Sequence, residues 1–136
     1  DIQASLLLPQ LKNIEKFMRA REKICMKYEN AFFNINGLIF PMVLENTKHA
    51  RHLFTVWVDP LKRDKIIYKL QRANIGITVN YRPIHLLSYY KNKFRINRGS
   101  LPNAERIGDS TITLPMYPKM TDDEINYVIS VLKKVI

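Results

Sequence analysis

The sequence predicts an α/β fold: a two-layer sandwich with helices on one face of a small mixed or antiparallel sheet, preceded by a long N-terminal helix. Three observations carry this. From Leu7 to Phe32 apolar residues recur at three- and four-residue steps, the spacing of one helix face. Leu53-Phe54-Thr55-Val56-Trp57-Val58 is β-branched and aromatic and ends at Asp59-Pro60, the pattern of a strand. Thr121-Asp122-Asp123-Glu124 precedes the stripe Ile125, Val128, Ile129, Leu132 and Ile136, a capping box that opens an amphipathic helix. A length of 136 residues fits one domain with one core.

The first helix carries Leu7, Leu11, Ile14, Met18, Cys25, Tyr28 and Phe32 on one face, interrupted by Arg21, with charged residues opposite. Pro9 cannot donate to the carbonyl of Ser5, so a kink or a fresh start is expected there. A helix of about 24 residues would run ~36 Å, long for so small a domain, so residues 1–35 read as a connecting helix and 36–136 as the α/β core. Asn34 to Gly37 break it, and Leu38-Ile39-Phe40-Pro41 reads as a short strand or extended link. A second helix is expected from about Lys62 to Ala73, burying Ile66, Ile67 and Leu70. Asn74 follows it, where a residue tolerant of the left-handed conformation is favoured. Ile75 to Val79 reads as a strand leading into the Tyr81 to Pro83 turn. His85 to Pro102 is polar, aromatic and irregular, an exposed excursion of the kind that carries binding residues. Ala104 to Asp109 suggests a short helix and Thr111 to Leu114 a short strand.

Composition excludes several functions. There is no glycine-rich phosphate loop, no GxSxG and no metal-spaced His/Cys cluster, and only 4 glycines are present. One cysteine allows no intrachain disulfide; Cys25 falls on the helix stripe and reads as inert core. The longest apolar run, Leu38 to Leu44, is far short of the roughly 20 residues that span a bilayer, so no membrane partner is expected and the compartment expected is cytoplasmic. The chain opens on Asp-Ile-Gln-Ala without a Met or a signal-peptide start; a segment of a longer polypeptide is the expectation. His49 and His52 precede a strand rather than share a helix face, which argues against a joint metal site. His52 is expected to hydrogen-bond within the structure. His85, two residues after a proline in a polar loop, reads either as a ligand contact or as an ordinary loop histidine. Asp122, Asp123 and Glu124 are explained by the helix dipole and cap. Tyr89 and Tyr90 could stack on a base or sugar or pack over their own loop.

The formal net charge is +10, concentrated in Lys62, Arg63, Lys65, Lys69 and Arg72 and again in Lys91, Lys93, Arg95 and Arg98. These are either solvated faces or a field for an anionic partner, nucleic acid or a diphosphate metabolite. A stand-alone basic module binding nucleic acid is the alternative reading. Against it, the aromatics form no alternating stripe on any predicted strand.

An ordered series of segments resembles the DegT/DnrJ/StrS family of pyridoxal-phosphate sugar aminotransferases. Asp1-Ile2-Gln3-Ala4 with Gln10-Leu11 is similar to the family's helix leaving its large domain. Arg63-Asp64 through Leu70 and Ile75-Gly76 is similar to its helix–strand unit. Asn80-Tyr81-Arg82-Pro83-Ile84-His85-Leu86 resembles its "HYxPxHL" turn. Ala104-Glu105-Arg106, Leu114-Pro115, Pro118 and Thr121 to Ile125 complete the series. The resemblance implies that residues 1–136 are the C-terminal small domain of a fold-type I aminotransferase. It implies a cytoplasmic homodimer that moves an amino group, commonly from glutamate, onto a keto group of a nucleotide-linked sugar, using pyridoxal phosphate. The reactive lysine, the cofactor's ring partner and most phosphate contacts would precede the matched region, so no catalytic and no cofactor-binding residue is expected here and the segment alone is expected to be inactive. The resemblance of the turn implies substrate contact by Asn80, Tyr81, Arg82 and His85, with Arg82 either meeting the diphosphate or simply exposed at the surface. Asn80 stands where the family usually has histidine. It can donate and accept hydrogen bonds but cannot become a cation near neutral pH.

Overall fold

The first helix breaks later than Pro9. In the computed structural model, which describes all 136 residues, α1 (Ile2–Lys12) holds Pro9 inside it and α2 (Ile14–Phe32) starts after Asn13. The side-chain amide of Asn13 donates to the Pro9 carbonyl at 2.8 Å, while its backbone N–H turns to Gln10 O at 3.1 Å. The side chain thus takes the carbonyl that the helical amide would have used, and the break falls one turn beyond the proline. No residue of α1 is buried: Leu7 and Leu11 are exposed, and the stripe is covered only from Ile24, Cys25, Tyr28 and Phe32 onward.

Strand β1 (Phe54–Trp57) precedes α3 (Pro60–Arg72). The Asp59 carboxylate accepts from Leu61 N at 2.9 Å and Pro60 occupies the first turn, so the helix begins at Pro60, two residues before the expected start. Asn74 has φ +56°, as its place after the helix predicted. A 3₁₀ turn, Ile84–Leu86, and α4 (Ser88–Phe94) lie in the stretch expected to be irregular. α4 has no buried residue, so no apolar stripe announced it. Helix α5 (Pro102–Ser110) leads straight into β2 (Thr111–Leu114), and α6 (Asp122–Val135) closes the chain. The capping box is complete: Thr121 N donates to Glu124 Oε2 at 2.7 Å and Glu124 N to Thr121 Oγ1 at 3.3 Å.

β1 and β2 pair antiparallel, Phe54 with Leu114 and Trp57 with Thr111. The short strand or extended link expected at Leu38–Pro41 and the strand expected at Ile75–Val79 each make one antiparallel bridge, Ile39 to Trp57 and Thr78 to Thr113. Pro41 supplies no amide to extend the first, and the second runs at once into the Asn80 turn. The sheet order is therefore Ile39, β1, β2, Thr78. Phe54, Val56, Ile112 and Leu114 share one face, since alternate residues point the same way, and join a core with Tyr28 and Phe32 of α2, Ile66 and Leu70 of α3, and Ile125, Val128 and Leu132 of α6. Tyr28 stacks on Phe32 at 5.7 Å, tilts over Phe54 at 5.0 Å and donates its hydroxyl to Pro115 O at 2.9 Å. Cys25 is buried, and desolvation pushes its thiol up to about 11, the inert state expected of a core cysteine.

Between β1 and α2 the segment before the sheet is pinned by charge. Buried Arg51 donates to both Glu22 oxygens, at 2.8 and 2.9 Å, and to Glu29 at 2.7 Å. The Arg51 hydrogen bond holds the Glu22 carboxyl below its usual range. His49 Nδ1 accepts the Arg51 backbone amide at 3.0 Å, which commits that ring nitrogen to the loop. His52 is exposed and makes no side-chain hydrogen bond, contrary to expectation: it stops short of β1, in extended chain that turns its ring to solvent. No helix is long and apolar enough to cross a membrane.

Candidate functional site

The Thr78 bridge delivers the chain into the Asn80–Leu86 turn at the sheet edge. Thr78 Oγ1 donates to Asn80 Oδ1 at 2.6 Å, so Asn80 is half-buried and oriented from behind. The Asn80–Tyr81 peptide is cis. Tyr81 is 69% exposed and Arg82 is exposed. Pro83 then dives onto α5 and is buried against Gly108. His85 is 6% exposed, and its Nε2 lies 2.9 Å from Glu105 Oε1. The four residues expected to face substrate thus divide into two groups. Tyr81 and Arg82 point outward; His85 ties the turn to Glu105 of α5, and Asn80 is tied locally to Thr78.

Glu105 is itself 6% exposed. Beyond His85, its oxygens accept from Gly99 N at 2.8 and 2.9 Å and from Leu101 N at 3.3 Å. The His85 bond, then the Gly99 amide, hold its carboxyl below the usual carboxylate range. On the other side of the turn, Arg82 borders a hollow of about 390 Å³ with Arg63, Arg98, Gly108 and Asp109. Arg63 Nη1 donates to Gly108 O at 3.1 Å and its Nε to Asp64 at 2.9 Å; Arg98 donates to Asp109 at 2.6 Å. Arg82 makes no hydrogen bond of its own and is the free guanidinium of the three. The two basic clusters of the sequence therefore meet here through one member each, around the turn.

A second hollow, about 560 Å³ and mostly apolar, lies behind the turn between Ile84, His85, Tyr90, Phe94 and Leu101. Tyr90 stacks on Phe94 at 6.3 Å and meets the Tyr89 ring edge-on at 5.2 Å, so these aromatics pack over their own loop.

Neither Glu105 nor Gly108 figured among the sequence candidates. Glu105 was legible as a helix-forming residue and as part of the Ala104-Glu105-Arg106 segment of the resemblance, but not as a buried carboxylate, because a glutamate that will be buried looks like any other. Gly108 left a fainter signal: a glycine inside a helical segment, where alanine would be favoured, points to close packing. Every lysine is exposed except half-buried Lys27, which is paired with Asp122. The Gly99 amide is already taken by Glu105. No three His, Cys, Asp or Glu side chains converge as a metal site.

Comparison with known proteins bears on this arrangement. The model of the DegT/DnrJ/EryC1/StrS aminotransferase family matches residues 1–133. An uncharacterised protein of Methanocaldococcus jannaschii is 41% identical over 140 residues, covering 100% of this chain and 36% of its own length. The spore coat polysaccharide biosynthesis protein SpsC of Bacillus subtilis is 37% identical over 141 residues, with 100% and 36% covered. Among solved structures, the PLP form of the putative sugar aminotransferase Spr1654 of Streptococcus pneumoniae superposes with a TM-score of 0.91 at 32% identity, over 99% of this chain and 35% of that one. The chain spans little more than a third of the length of the curated relatives it matches. With the family match running through all but the last turn of α6, this chain belongs to the DegT/DnrJ/EryC1/StrS aminotransferase family.

Proposed function

We propose that this chain is the C-terminal small domain of a pyridoxal-phosphate-dependent aminotransferase, cytoplasmic and homodimeric. The intact enzyme would transfer an amino group, from glutamate, to a keto group of a nucleotide-linked sugar in polysaccharide or amino-sugar synthesis. The observation that carries the reading is the Asn80–Leu86 turn, with Tyr81 and Arg82 exposed side by side and anchored from behind. Family membership, the name of the SpsC relative and the pyridoxal-phosphate form of the pneumococcal neighbour support it.

Pyridoxal phosphate supplies the electron sink for amino transfer, and the lysines described above do not form a buried site for it: all face solvent except half-buried Lys27, which pairs with Asp122. On this reading the cofactor and its lysine belong to the rest of the intact protein. What this chain contributes is substrate recognition. The unengaged Arg82 guanidinium suits a diphosphate, which accepts paired N–H donors from a planar fork. The Tyr81 hydroxyl can donate to or accept from a sugar hydroxyl, and Asn80 and His85 fix where both stand. The nucleic-acid reading lacks its platform, since Phe54 is buried, Trp57 is half-buried beneath Arg106 and the exposed Tyr89 sits on α4.

In the full-length protein, Arg82→Ala is expected to raise KM for the nucleotide sugar about tenfold or more, the size of one charge-assisted contact. KM for the amino donor should stay within about twofold, as expected for a contact made to one substrate only. An unchanged KM for the nucleotide sugar would remove Arg82, and the turn with it, from the substrate site.

A further inference from the structure

We propose that Glu105 is a positioning residue for the substrate-facing turn: one face of α5 fixes where Arg82 and Arg98 stand. This rests on the reading of the Asn80–Leu86 turn as a substrate wall.

Glu105, Gly108 and Asp109 are three and four residues apart, so they share one side of α5. Each holds a different strand of the surrounding loops. Gly108 receives the Pro83 ring, immediately after Arg82. Glu105 receives His85, two residues further on, at 2.9 Å. The same carboxylate receives the amides of Gly99, immediately after Arg98, and of Leu101, two residues further on, and Asp109 receives the Arg98 guanidinium at 2.6 Å. Pro83 and His85 bracket Ile84, so the turn is fastened at two points and cannot pivot about either. The loop through Arg98 is fastened to the same helix. Both guanidiniums, from segments with no regular pairing to each other, are thereby referred to one rigid element.

A charge-neutral surface glutamate would explain none of this. Glu105 is as buried as the core residue Leu38, at 6%, and stays so only because four donor contacts reach its two oxygens. A buried carboxylate is tolerated when its lone pairs are filled. Removing it leaves a buried imidazole and two backbone amides without their acceptor, and such groups seek water. The segment then loosens before the core does, because neither the turn nor α4 contributes to the core cluster. Arg82 and Arg98 would keep their chemistry and lose their placement.

The test uses Glu105→Gln and Glu105→Ala in the full-length protein, with two readouts. Amide exchange should show Gly99 and Leu101 at least about tenfold less protected in Glu105→Ala, with α6 unchanged, as for a local opening. Glu105→Gln, which keeps one carbonyl oxygen, should fall between the two. In steady-state kinetics KM for the nucleotide sugar should rise about tenfold in Glu105→Ala, partly restored in Glu105→Gln, with kcat and KM for the amino donor within about twofold. Lost protection with an unchanged KM for the nucleotide sugar overturns the positioning role. Unchanged protection in both variants overturns the latch itself. If Glu105→Ala does not fold, Glu105→Gln alone decides: loss of protection with a raised KM supports the proposal, wild-type behaviour in either readout overturns it. Should the unsubstituted protein transfer no amino group to any nucleotide sugar, the proposed function fails instead, and the exchange readout then judges the latch on its own.

Discussion

Gly108→Ala should destabilise the protein by about 1–3 kcal/mol, the usual cost of forcing extra volume into a packed contact, and should shift the Asn80–Leu86 turn proposed to face substrate. A β-carbon at Gly108 would lie 2.7 Å from Pro83 Cγ and 3.1 Å from Pro83 N, and would overlap Pro83 Cδ. The prolyl ring has no rotamer by which to escape, so the backbone of the turn must move. Two effects oppose each other here. Alanine in place of glycine inside a helix ordinarily gains about 1 kcal/mol, and that gain would decide the sign at an open site. At Gly108 the contact is with ring and backbone atoms and outweighs it. The displaced Pro83 carries Arg82 with it, so KM for the nucleotide sugar should rise in the full-length protein. Urea unfolding and substrate titration read the two consequences separately. An alanine variant more stable than the parent would mean that Pro83 does not rest on α5.

Phe32→Ala should have the largest effect on stability, about 3–5 kcal/mol, the range for removing a buried aromatic side chain. Phe32 is fully buried, 5.7 Å from the Tyr28 ring and 6.4 Å from Phe54. Its loss opens a cavity where α2 meets β1, and the other core residues nearby belong to different elements that cannot all close in. The position matters because α1 buries nothing, so the whole helical arm is anchored through the second half of α2. Thermal or urea unfolding should therefore show a lower midpoint, together with looser protection along α2. A loss below about 1 kcal/mol, typical of surface substitutions, would place Phe32 outside the core.

Much of the fold was legible in the residues, and the reason differs from element to element. The α6 boundary followed from Thr121 and Glu124 because a capping box is a local interaction, complete within four residues. β1 was legible because its β-branched and aromatic run has no competing period. The break at Asn13 was hidden, because it depends on a side-chain amide choosing the Pro9 carbonyl over solvent. The outer strands were overread at Ile75–Val79: β-propensity was right, but pairing is set by how far the neighbour extends, and β2 offers Thr78 a single partner. α4 was missed because its Tyr89, Tyr90 and Phe94 pack on one another and leave no buried stripe to count.

The site divided the same way. Tyr81 and Arg82 were named through the resemblance of the Asn80–Leu86 turn to the family's turn, and both prove exposed. His85 was placed in the same group, and its burial against Glu105 needed tertiary structure: the two are 20 residues apart in sequence. Arg63 was visible in a basic cluster and in the family-like Arg63-Asp64 segment, and Arg98 only in a basic cluster. Their meeting with Arg82 depends on α3 and α5 packing side by side, which no local pattern encodes.

On the proposed function, these 136 residues shape the substrate wall while the lysine that bonds the cofactor lies elsewhere in the intact protein. Borohydride reduction of the full-length protein loaded with pyridoxal phosphate, followed by proteolysis and mass spectrometry, locates that lysine. The label is predicted on a peptide outside this sequence, with every lysine from Lys12 to Lys134 unmodified. A stoichiometric phosphopyridoxyl group on any of them, Lys27 or Lys48 for instance, would contradict it.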